Sequence, residues 1–300
     1  MKNPYLLLIF ATLFWAGNVV LSKAMSTDIP PITLAFWRWS MALLVISFFS
    51  WKKVIQDWDA IRKNILILLP LSLFGITVFN TLIYIALQDT SALNSLLLQS
   101  LLPVVVALMS FVFLKERLRK WQVVGILISL CGTLVLVAKG EFTTLLGTGF
   151  NRGDVWVITA VVCYASYTIL LKFRPPMHPL SFLLVTFFLG TLMLLPFYLW
   201  EQTYAAPIQW NLPVYTTIAY LAVFPSFISY LFFNEAVRKV GASTAGLFSH
   251  LIPLFGSLMA ILFLGETFYT YHAVGVALTF SGIYLVIKNK VGAKSRKQLR

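Results

Sequence analysis

The chain has 300 residues, of which 59% are hydrophobic and 11% are charged, and its mean hydropathy is +0.86. Soluble domains carry about 25% charged residues, because charged side chains must cover a water-facing surface, so this composition excludes a soluble protein. The net charge of +13 does not indicate nucleic-acid binding, since the basic residues lie in short clusters between apolar runs and in the tail 288–300, where they orient membrane helices.

Apolar residues occur in blocks of about 20, the length that a helix needs to cross a hydrocarbon core of about 30 Å. The blocks do not alternate apolar and polar residues, which excludes a membrane β-barrel. The sequence therefore predicts an all-α membrane protein with ten transmembrane helices. In chain order, the predicted helices cover residues 4–23, 32–51, 65–87, 91–114, 121–138, 154–172, 179–200, 214–236, 243–264 and 271–288.

The second half of the chain repeats the first. A shift of 150 residues places LLPVVVALMSFVFLKERL (101–118) over LIPLFGSLMAILFLGETF (251–268), with shared Leu, Pro, Met, Phe and Glu positions. Shifts of 148 and 149 align the earlier helices in the same way. The chain is therefore predicted to be a duplicated unit of five helices. Because five is odd, the second unit must enter the membrane from the opposite side.

Basic residues test this orientation independently, because Lys and Arg concentrate in the cytoplasmic loops of membrane proteins. With a cytoplasmic N-terminus, only Lys23, Lys139 and Arg152 of the 23 basic residues fall in outside loops, and Arg38 lies within a helix. We therefore expect two inverted repeats with both termini in the cytoplasm. The expected segments are a first repeat at 1–140, an external linker at 141–152, a second repeat at 153–288 and a basic tail at 289–300.

Several strings resemble the drug/metabolite transporter superfamily, and specifically its ten-helix EamA-type exporters. They are FWAGNVVLSK (14–23), PPITLAFWRW (30–39), and the paired strings LLP…FLKE and LIP…FLGE, and the resemblance covers residues 5–288. The resemblance implies two EamA repeats, a bacterial inner membrane and the export of small metabolites, often amino acids. It does not imply a particular substrate.

Polar and aromatic side chains within the predicted helices are the candidate substrate-binding groups, because such residues are costly at membrane depth. Asn80 and Tyr84 lie one turn apart in the third helix, and a shift of 150 maps them to Tyr230 and Asn234 in the eighth. The same residue types therefore appear in swapped order. Two symmetric helices with these groups predict the walls of a central cavity.

The first and sixth helices add a second matched pair. A shift of 149 maps Trp15 to Tyr164 and Asn18 to Tyr167. Aromatic rings provide large rigid contact areas and amides orient a ligand, so we expect these residues to line the same cavity. The alternative is that the aromatic residues form an interfacial belt, against which their positions near the helix centres argue.

The fourth and ninth helices carry Gln99 and His250, and each has a proline three or four residues further on, at Pro103 and Pro253. A proline removes one backbone N–H and exposes a carbonyl one turn back, which predicts a local break near Gln99 and Ser249. The break suits a binding site or a structural kink. His250 is a candidate substrate-binding or proton-carrying residue, with hydrogen bonding between helices as the alternative.

Charged residues near the membrane are interpreted as structural. Arg38 has the fork geometry for a carboxylate or phosphate, but we favour a role at the headgroups or in a pair with Asp28 or Asp89. Glu116 and Glu266 end the fourth and ninth helices at opposite faces, which favours capping of the next turn.

The sequence therefore predicts a secondary transporter, which exports small amphipathic metabolites by alternating access. Alternatives are a lipid flippase and an intramembrane enzyme that acts on lipid-linked substrates. No catalytic motif is visible, and His178, His250 and His272 are too scattered for a metal site, so no enzyme activity, metal or cofactor is expected. We expect a monomer that contacts membrane lipid and a small-molecule substrate.

Overall fold

The fold was obtained as a computed structural model, which describes residues 3–90, 92–116, 119–141, 151–264, 267 and 269–298. Within these ranges the chain is helical and contains no strand, and ten helices are long and apolar enough to span a membrane. They are α1 Pro4–Ala24, α2 Pro31–Gln56, α3 Ile65–Asp89, α4 Asn94–Leu114, α5 Lys120–Val137, α6 Arg152–Phe173, α7 Pro179–Glu201, α8 Leu212–Val240, α9 Ala242–Met259 and α10 Thr270–Asn289.

The predicted and observed helices agree in number and closely in position. One difference is the basic tail, because the last helix continues from Thr270 to Gln298, well beyond the predicted end at residue 288. Lys, Arg, Gln and Ala are good helix formers, so the helix continues where the apolar run ends. Most of the proposed external linker, residues 142–150, lies outside the described residues, as does Glu266.

Polar residues start several of the helices. Asn3 Oδ1 accepts the Tyr5 N–H at 2.9 Å at the start of α1, and Asn211 Oδ1 accepts the Val214 N–H at 3.0 Å at the start of α8. Prolines occupy the first turn of α1, α2, α7 and α8, where the missing N–H has no intrahelical partner to lose.

The packing of the helices has the symmetry of the sequence repeat. Helix α1 packs against α8 and α9, and its counterpart α6 packs against α3 and α4, while α2 packs against α7 and α5 against α10. Exchanging the two repeats leaves this set of contacts unchanged. The counterparts also cross antiparallel, since the start of α2 meets the end of α7 at Thr33 and Glu201. The chain is therefore an all-α membrane protein of two inverted five-helix repeats.

Glycines bring α5 and α10 into backbone contact. A Cβ atom on Gly125 would lie 2.6 Å from the Gly282 carbonyl oxygen, and one on Gly132 would lie 2.8 Å from the Gly275 carbonyl oxygen. These are the glycines that the sequence repeat aligns, paired here in antiparallel order. Small residues drive such close approach in membranes, where apolar burial provides little driving force.

The antiparallel pair α2 and α7 is tied at both ends. Glu201 at the end of α7 accepts the N–H groups of Ile32 at 3.0 Å and Thr33 at 2.6 Å, and so neutralises the start of α2. At the opposite end, Asp57 after α2 accepts the N–H of His178, which precedes α7, at 2.9 Å. These ties hold the two helices at a fixed register.

His178 also caps α7 through its ring. Its Nδ1 atom accepts the Leu180 N–H at 3.2 Å, which requires an unprotonated nitrogen. Desolvation and the nearby Lys53 lower the pKa of His178 below its ordinary value of 6.5. The neutral ring that the cap needs is therefore the form present at pH 7.

Both repeats contain irregular helix segments at equivalent positions. The π-helical turns Leu73–Val78 in α3 and Ala222–Ile228 in α8 are related by the shift of 150. Helix α4 is interrupted between Gln99 and Leu102, and α9 has a 3₁₀ turn at Phe248–His250, as the proline positions predict. Irregular backbone of this kind leaves carbonyl groups free to bind side chains.

Candidate substrate cavity

A cavity of about 720 Å³, including the space at its mouth, lies between the two repeats. Its lining comes from α1, α3 and α4 of the first repeat and from α6, α8 and α9 of the second repeat. Its lining is mostly apolar with a few polar groups, as in small-molecule sites. The polar and aromatic lining residues are Trp15, Asn18, Phe79, Asn80, Gln99, Ser100, Tyr164, Tyr230 and Ser249.

The structure places six of the ten candidate site residues in the cavity wall and four behind it. Those in the wall are Trp15, Asn18, Asn80, Gln99, Tyr164 and Tyr230. Those behind it are buried and bonded to wall residues or to the neighbouring helices; they are Tyr84, Tyr167, Asn234 and His250. All ten remain predictions as substrate-binding residues.

The aromatic side chains of the wall are fixed by the π-helical turns. Trp15 Nε1 donates to the Pro225 carbonyl oxygen at 2.9 Å, and the Tyr230 hydroxyl donates to the Gly75 carbonyl oxygen at 2.5 Å. Gly75 and Pro225 are equivalent positions of the two repeats. The π-helical turns therefore supply free carbonyls that orient one rigid aromatic ring from each repeat, and the two rings lie edge to face at 6.1 Å between centroids.

Tyr164 completes the aromatic wall. Its ring lies edge-on to Trp15 at 5.8 Å between centroids and packs at 4.4 Å against Phe79. The hydroxyl of Tyr164 is buried and has no hydrogen-bond partner within the described part of the chain. A buried hydroxyl without a partner costs free energy, so this atom is a candidate contact for a ligand or for a second conformation.

Two Tyr–Asn pairs flank the cavity at symmetric positions. The Tyr84 hydroxyl donates to Asn18 Oδ1 at 2.9 Å, and the Tyr167 hydroxyl donates to Asn234 Oδ1 at 2.7 Å. The repeat maps Asn18 to Tyr167 and Tyr84 to Asn234, so the two pairs are equivalent with donor and acceptor exchanged. The swapped residue order in the sequence is thus preserved as the same interaction in space.

These pairs join two groups of helices. We call α1, α8 and α9 the first bundle, and α6, α3 and α4 the second bundle, because each group packs around α1 or α6. Tyr84 and Asn18 connect the second bundle to the first, and Tyr167 and Asn234 do the same at the other side of the cavity. The residues that join the bundles are thus hydrogen-bonded side chains, which can exchange partners.

Arg38 lies at the centre of the polar contacts, a position that sequence reasoning did not predict. It is fully buried, and its Nη1 donates to Asn18 Oδ1 at 3.0 Å, Asn80 Oδ1 at 2.8 Å and the Tyr84 hydroxyl at 2.5 Å. Its Nε donates to Ser226 at 2.6 Å. The predicted headgroup position is therefore wrong.

The predicted pairing of Arg38 with Asp28 or Asp89 is also wrong, because neither residue is among the partners of its guanidinium. Its side chain points into the bundle, where the amides of α1 and α3 provide closer acceptors than the loop carboxylates. The Glu116 carboxylate pairs with Lys172 at 2.9 Å. Its expected capping of the next turn involves residues 117 and 118, which lie outside the described residues, so it stays a prediction.

The interrupted helices α4 and α9 are joined by His250. Its Nε2 lies 2.9 Å from the Ser100 carbonyl oxygen, and because a carbonyl only accepts, Nε2 carries the proton. Its Nδ1 lies 2.7 Å from the Ser129 hydroxyl on α5. His250 is fully buried and satisfies a carbonyl that the break in α4 leaves free. In this arrangement the ring acts as a bridge between helices, and its neighbour Ser249 faces the cavity.

No group of three or more His, Cys, Asp or Glu side chains that could hold a metal ion is present among the described residues. The cavity-lining residues within the described ranges also include no acidic side chain. The arrangement can therefore bind a molecule through aromatic rings, amides and hydroxyls.

Comparison with known proteins identifies relatives over nearly the full length. The EamA-like transporter family matches residues 2–138 and 151–288. The uncharacterized transporter YyaM of Bacillus subtilis (strain 168) is 28% identical over 94% of this chain and 92% of its own length. A protein of Chlamydia muridarum (strain MoPn / Nigg), named S-adenosylmethionine/S-adenosylhomocysteine transporter, is 25% identical over 87% of this chain and 84% of its own. A crystal structure with 19% identity superposes with a TM-score of 0.75, covering 95% of this chain and 96% of that one, which shows the same fold.

Proposed function

The chain belongs to the EamA-like transporter family, and on that premise we propose that it exports small amphipathic metabolites, such as amino acids, across the bacterial inner membrane. The observation that carries the proposal is the aromatic and amide-lined cavity between two inverted repeats. Inverted repeats with a site at their interface are a recurrent design of secondary transporters. The name of the Chlamydia muridarum relative supports a small metabolite as the substrate class.

The proposed mechanism is alternating access by rocking of the first bundle against the second. Each Tyr–Asn pair ties the bundles together on one side of the cavity, at Asn18 and Tyr84 or at Tyr167 and Asn234. Breaking one pair while the other holds would open the cavity on one side only. The helices α2 and α7, tied at both ends, serve as the frame against which the bundles move.

We further propose that both termini are cytoplasmic, from the distribution of basic loops. The cavity then lies towards the outer halves of α1, α3 and α4, and the Tyr167–Asn234 pair closes the cytoplasmic side. A reporter fused after Arg300 should be active only in its cytoplasmic form, and a cysteine introduced at Gly147 should react with a membrane-impermeant reagent in intact cells. Labelling of Gly147→Cys only after permeabilisation would contradict the inverted topology.

The decisive test of function is substrate counterflow in proteoliposomes, which needs no knowledge of the driving ion. Vesicles containing the purified protein are loaded with one unlabelled amino acid at a time, and entry of the same labelled amino acid is measured. We expect accumulation for part of the panel, strongly reduced at low substrate concentration by Tyr230→Ala but retained by Tyr215→Ala, which changes an exposed tyrosine on the same helix.

The rival functions give different results in the same vesicles. A lipid flippase would move fluorescent phospholipid between leaflets, and an intramembrane enzyme would convert a lipid-linked substrate. Either activity, with no counterflow of any metabolite in a broad panel, would overturn the proposal.

A further inference from the structure

Arg38 is a fixed positive charge within the helix bundle, at a position where a charge is costly. It is the eighth residue of α2, about 10 Å along the helix from its start, and none of its surface is exposed. An arginine stays protonated in proteins, so the cost is not relieved by loss of a proton. Intramembrane charges that persist under this cost are usually functional.

The hydrogen bonds of Arg38 are all to neutral groups. Its Nε and Nη1 are bonded to hydroxyl and amide oxygens, and its guanidinium carbon lies 4.8 Å from the centre of the Trp39 ring. Its Nη2 is buried and has no hydrogen-bond partner in the described part of the protein. The ion pairs found among the described residues involve Glu116 and Glu235, and neither includes Arg38.

The guanidinium is separated from the cavity by a single layer of side chains. Asn18 and Asn80 accept hydrogen bonds from its Nη1, and both also line the cavity. Rotation of these two amides brings their N–H groups or the guanidinium itself to face the cavity. Asn80 also donates to the Tyr230 hydroxyl at 3.3 Å, so this rotation breaks that contact together with the hydrogen bonds that the two amides accept from Arg38.

The charge breaks the symmetry of the site. A shift of 148 places Thr186 of α7 at the position of Arg38, and the Thr186 hydroxyl is bonded to the backbone of its own helix. A fixed positive charge with no equivalent in the second repeat therefore lies behind Asn18 and Asn80 of the cavity wall, whereas the wall at Trp15 and Tyr164 is aromatic and uncharged. Since none of the described residues that line the cavity is acidic, they offer no ion-pair partner to a cationic substrate.

From this arrangement we infer that Arg38 is the binding site for the anionic group of the transported molecule, which is an organic carboxylate with an apolar body. The inference rests on the proposed function and specifies its substrate class. The carboxylate accepts hydrogen bonds from Nη1 and Nη2 of Arg38, and the apolar body packs against Trp15 and Tyr164. A bidentate, charge-assisted contact in a site closed to water is among the stronger polar interactions available to a protein.

The test compares three probes of similar size that differ in charge: phenylacetate, phenylacetamide and 2-phenylethylammonium. Binding to the purified full-length protein is measured as an increase of its unfolding temperature with probe concentration. We expect phenylacetate to bind about tenfold or more tightly than phenylacetamide, and the ammonium to bind most weakly. Equal affinity for the anion and the amide, or no binding of the anion, overturns the site.

Two variants test whether the preference for phenylacetate over phenylacetamide depends on Arg38. In Arg38→Gln the ratio between phenylacetate and phenylacetamide should fall to about twofold or less, whereas Arg62→Gln, the same charge change at an exposed position, should retain it. Retention of the preference by a folded Arg38→Gln protein contradicts the inference. If that variant does not fold, the ratio of the wild-type protein decides alone.

The same probes separate this inference from the proposed function. Counterflow of metabolites without any preference for the anionic probe would support the transport function and contradict the carboxylate site. A clear preference for phenylacetate without counterflow of any compound would support the carboxylate site and contradict the transport function.

Discussion

Replacing Tyr167 with Phe tests the proposed role of the Tyr–Asn pairs, because it removes one hydroxyl that joins the bundles and little else. The Tyr167 hydroxyl donates to Asn234 Oδ1 at 2.7 Å, and the two residues are 1% and 3% exposed. Asn234 Nδ2 has no partner among the described residues, so the substitution leaves the whole amide unpaired.

The size of the effect follows from the hydrogen bond that is lost. A neutral hydrogen bond contributes about 0.5–1.5 kcal/mol, which corresponds to about a two- to tenfold change in an equilibrium constant. If the bond exists only while the cytoplasmic side is closed, its loss shifts the population towards opening on that side by this factor. Tyr84→Phe should shift the population in the opposite direction, with a larger effect because Tyr84 also accepts from Arg38.

Two reporter cysteines at equivalent positions measure these populations. Ser22 and Leu171 are related by the shift of 149, lie near opposite ends of the bundle and are 3% and 8% exposed. Each is replaced by Cys in a background without Cys131 and Cys163, and the rate of alkylation of the purified protein is measured. Tyr167→Phe should raise the rate at Leu171→Cys about two- to tenfold and not at Ser22→Cys.

The opposite signs of the two variants make the experiment selective. Tyr84→Phe should raise alkylation at Ser22→Cys and not at Leu171→Cys. A variant that merely loosens the fold would raise both rates together. Parallel changes at the two reporters, or no change at either, would refute the reasoning that the pairs close opposite sides.

Other substitutions test packing and site. Gly132→Ala should lower the unfolding temperature of the purified protein, since its Cβ would lie 2.6 Å from backbone of α10, whereas Gly256→Ala, with nothing within 4 Å, should not. Glu201→Gln should lower the free energy of unfolding by about 2 kcal/mol, measured by denaturant titration, because a buried carboxylate accepts charge-assisted bonds there. In transport assays, Tyr230→Ala should weaken apparent affinity about tenfold to a hundredfold and Tyr230→Phe less. Tyr164→Phe should raise the unfolding temperature, since it removes a buried hydroxyl that has no described hydrogen-bond partner.

The fold could be predicted because it depends on patterns that can be read along the sequence, namely the apolar runs and the repeated positions. Helix lengths follow from apolar runs, and the inverted repeat follows from the shared Pro103 and Pro253 and from the odd number of helices. The repeat also aligns Gly125 with Gly275, although the contact that these glycines allow between α5 and α10 is seen only in the structure. These features depend on local sequence and on bilayer thickness, which act on each helix separately.

The site could be predicted only in part, because it depends on which helix faces meet. Symmetry identified Asn80 and Tyr230, which line the cavity together. It could not place Arg38, since only the packing of α2 against α3 and α8 brings the Asn80 amide and the Ser226 hydroxyl to its guanidinium. The hydrogen bond between Arg38 and Ser226 could not be predicted either, because Ser226 lies in a π-helical turn that no sequence pattern indicates.

The inverted repeat also explains why a buried hydroxyl is left without a partner. In this conformation Trp15 binds the Pro225 carbonyl, and the equivalent interaction in the other repeat would join Tyr164 to the Gly75 carbonyl. That carbonyl is instead bound by Tyr230, so Tyr164 has no described partner. If rocking exchanges the conformations of the two repeats, Tyr164 takes the Gly75 carbonyl in the second state and Tyr230 releases it. A wall tyrosine is thus freed on each half of the cycle, which gives the cavity one adjustable hydroxyl in either state.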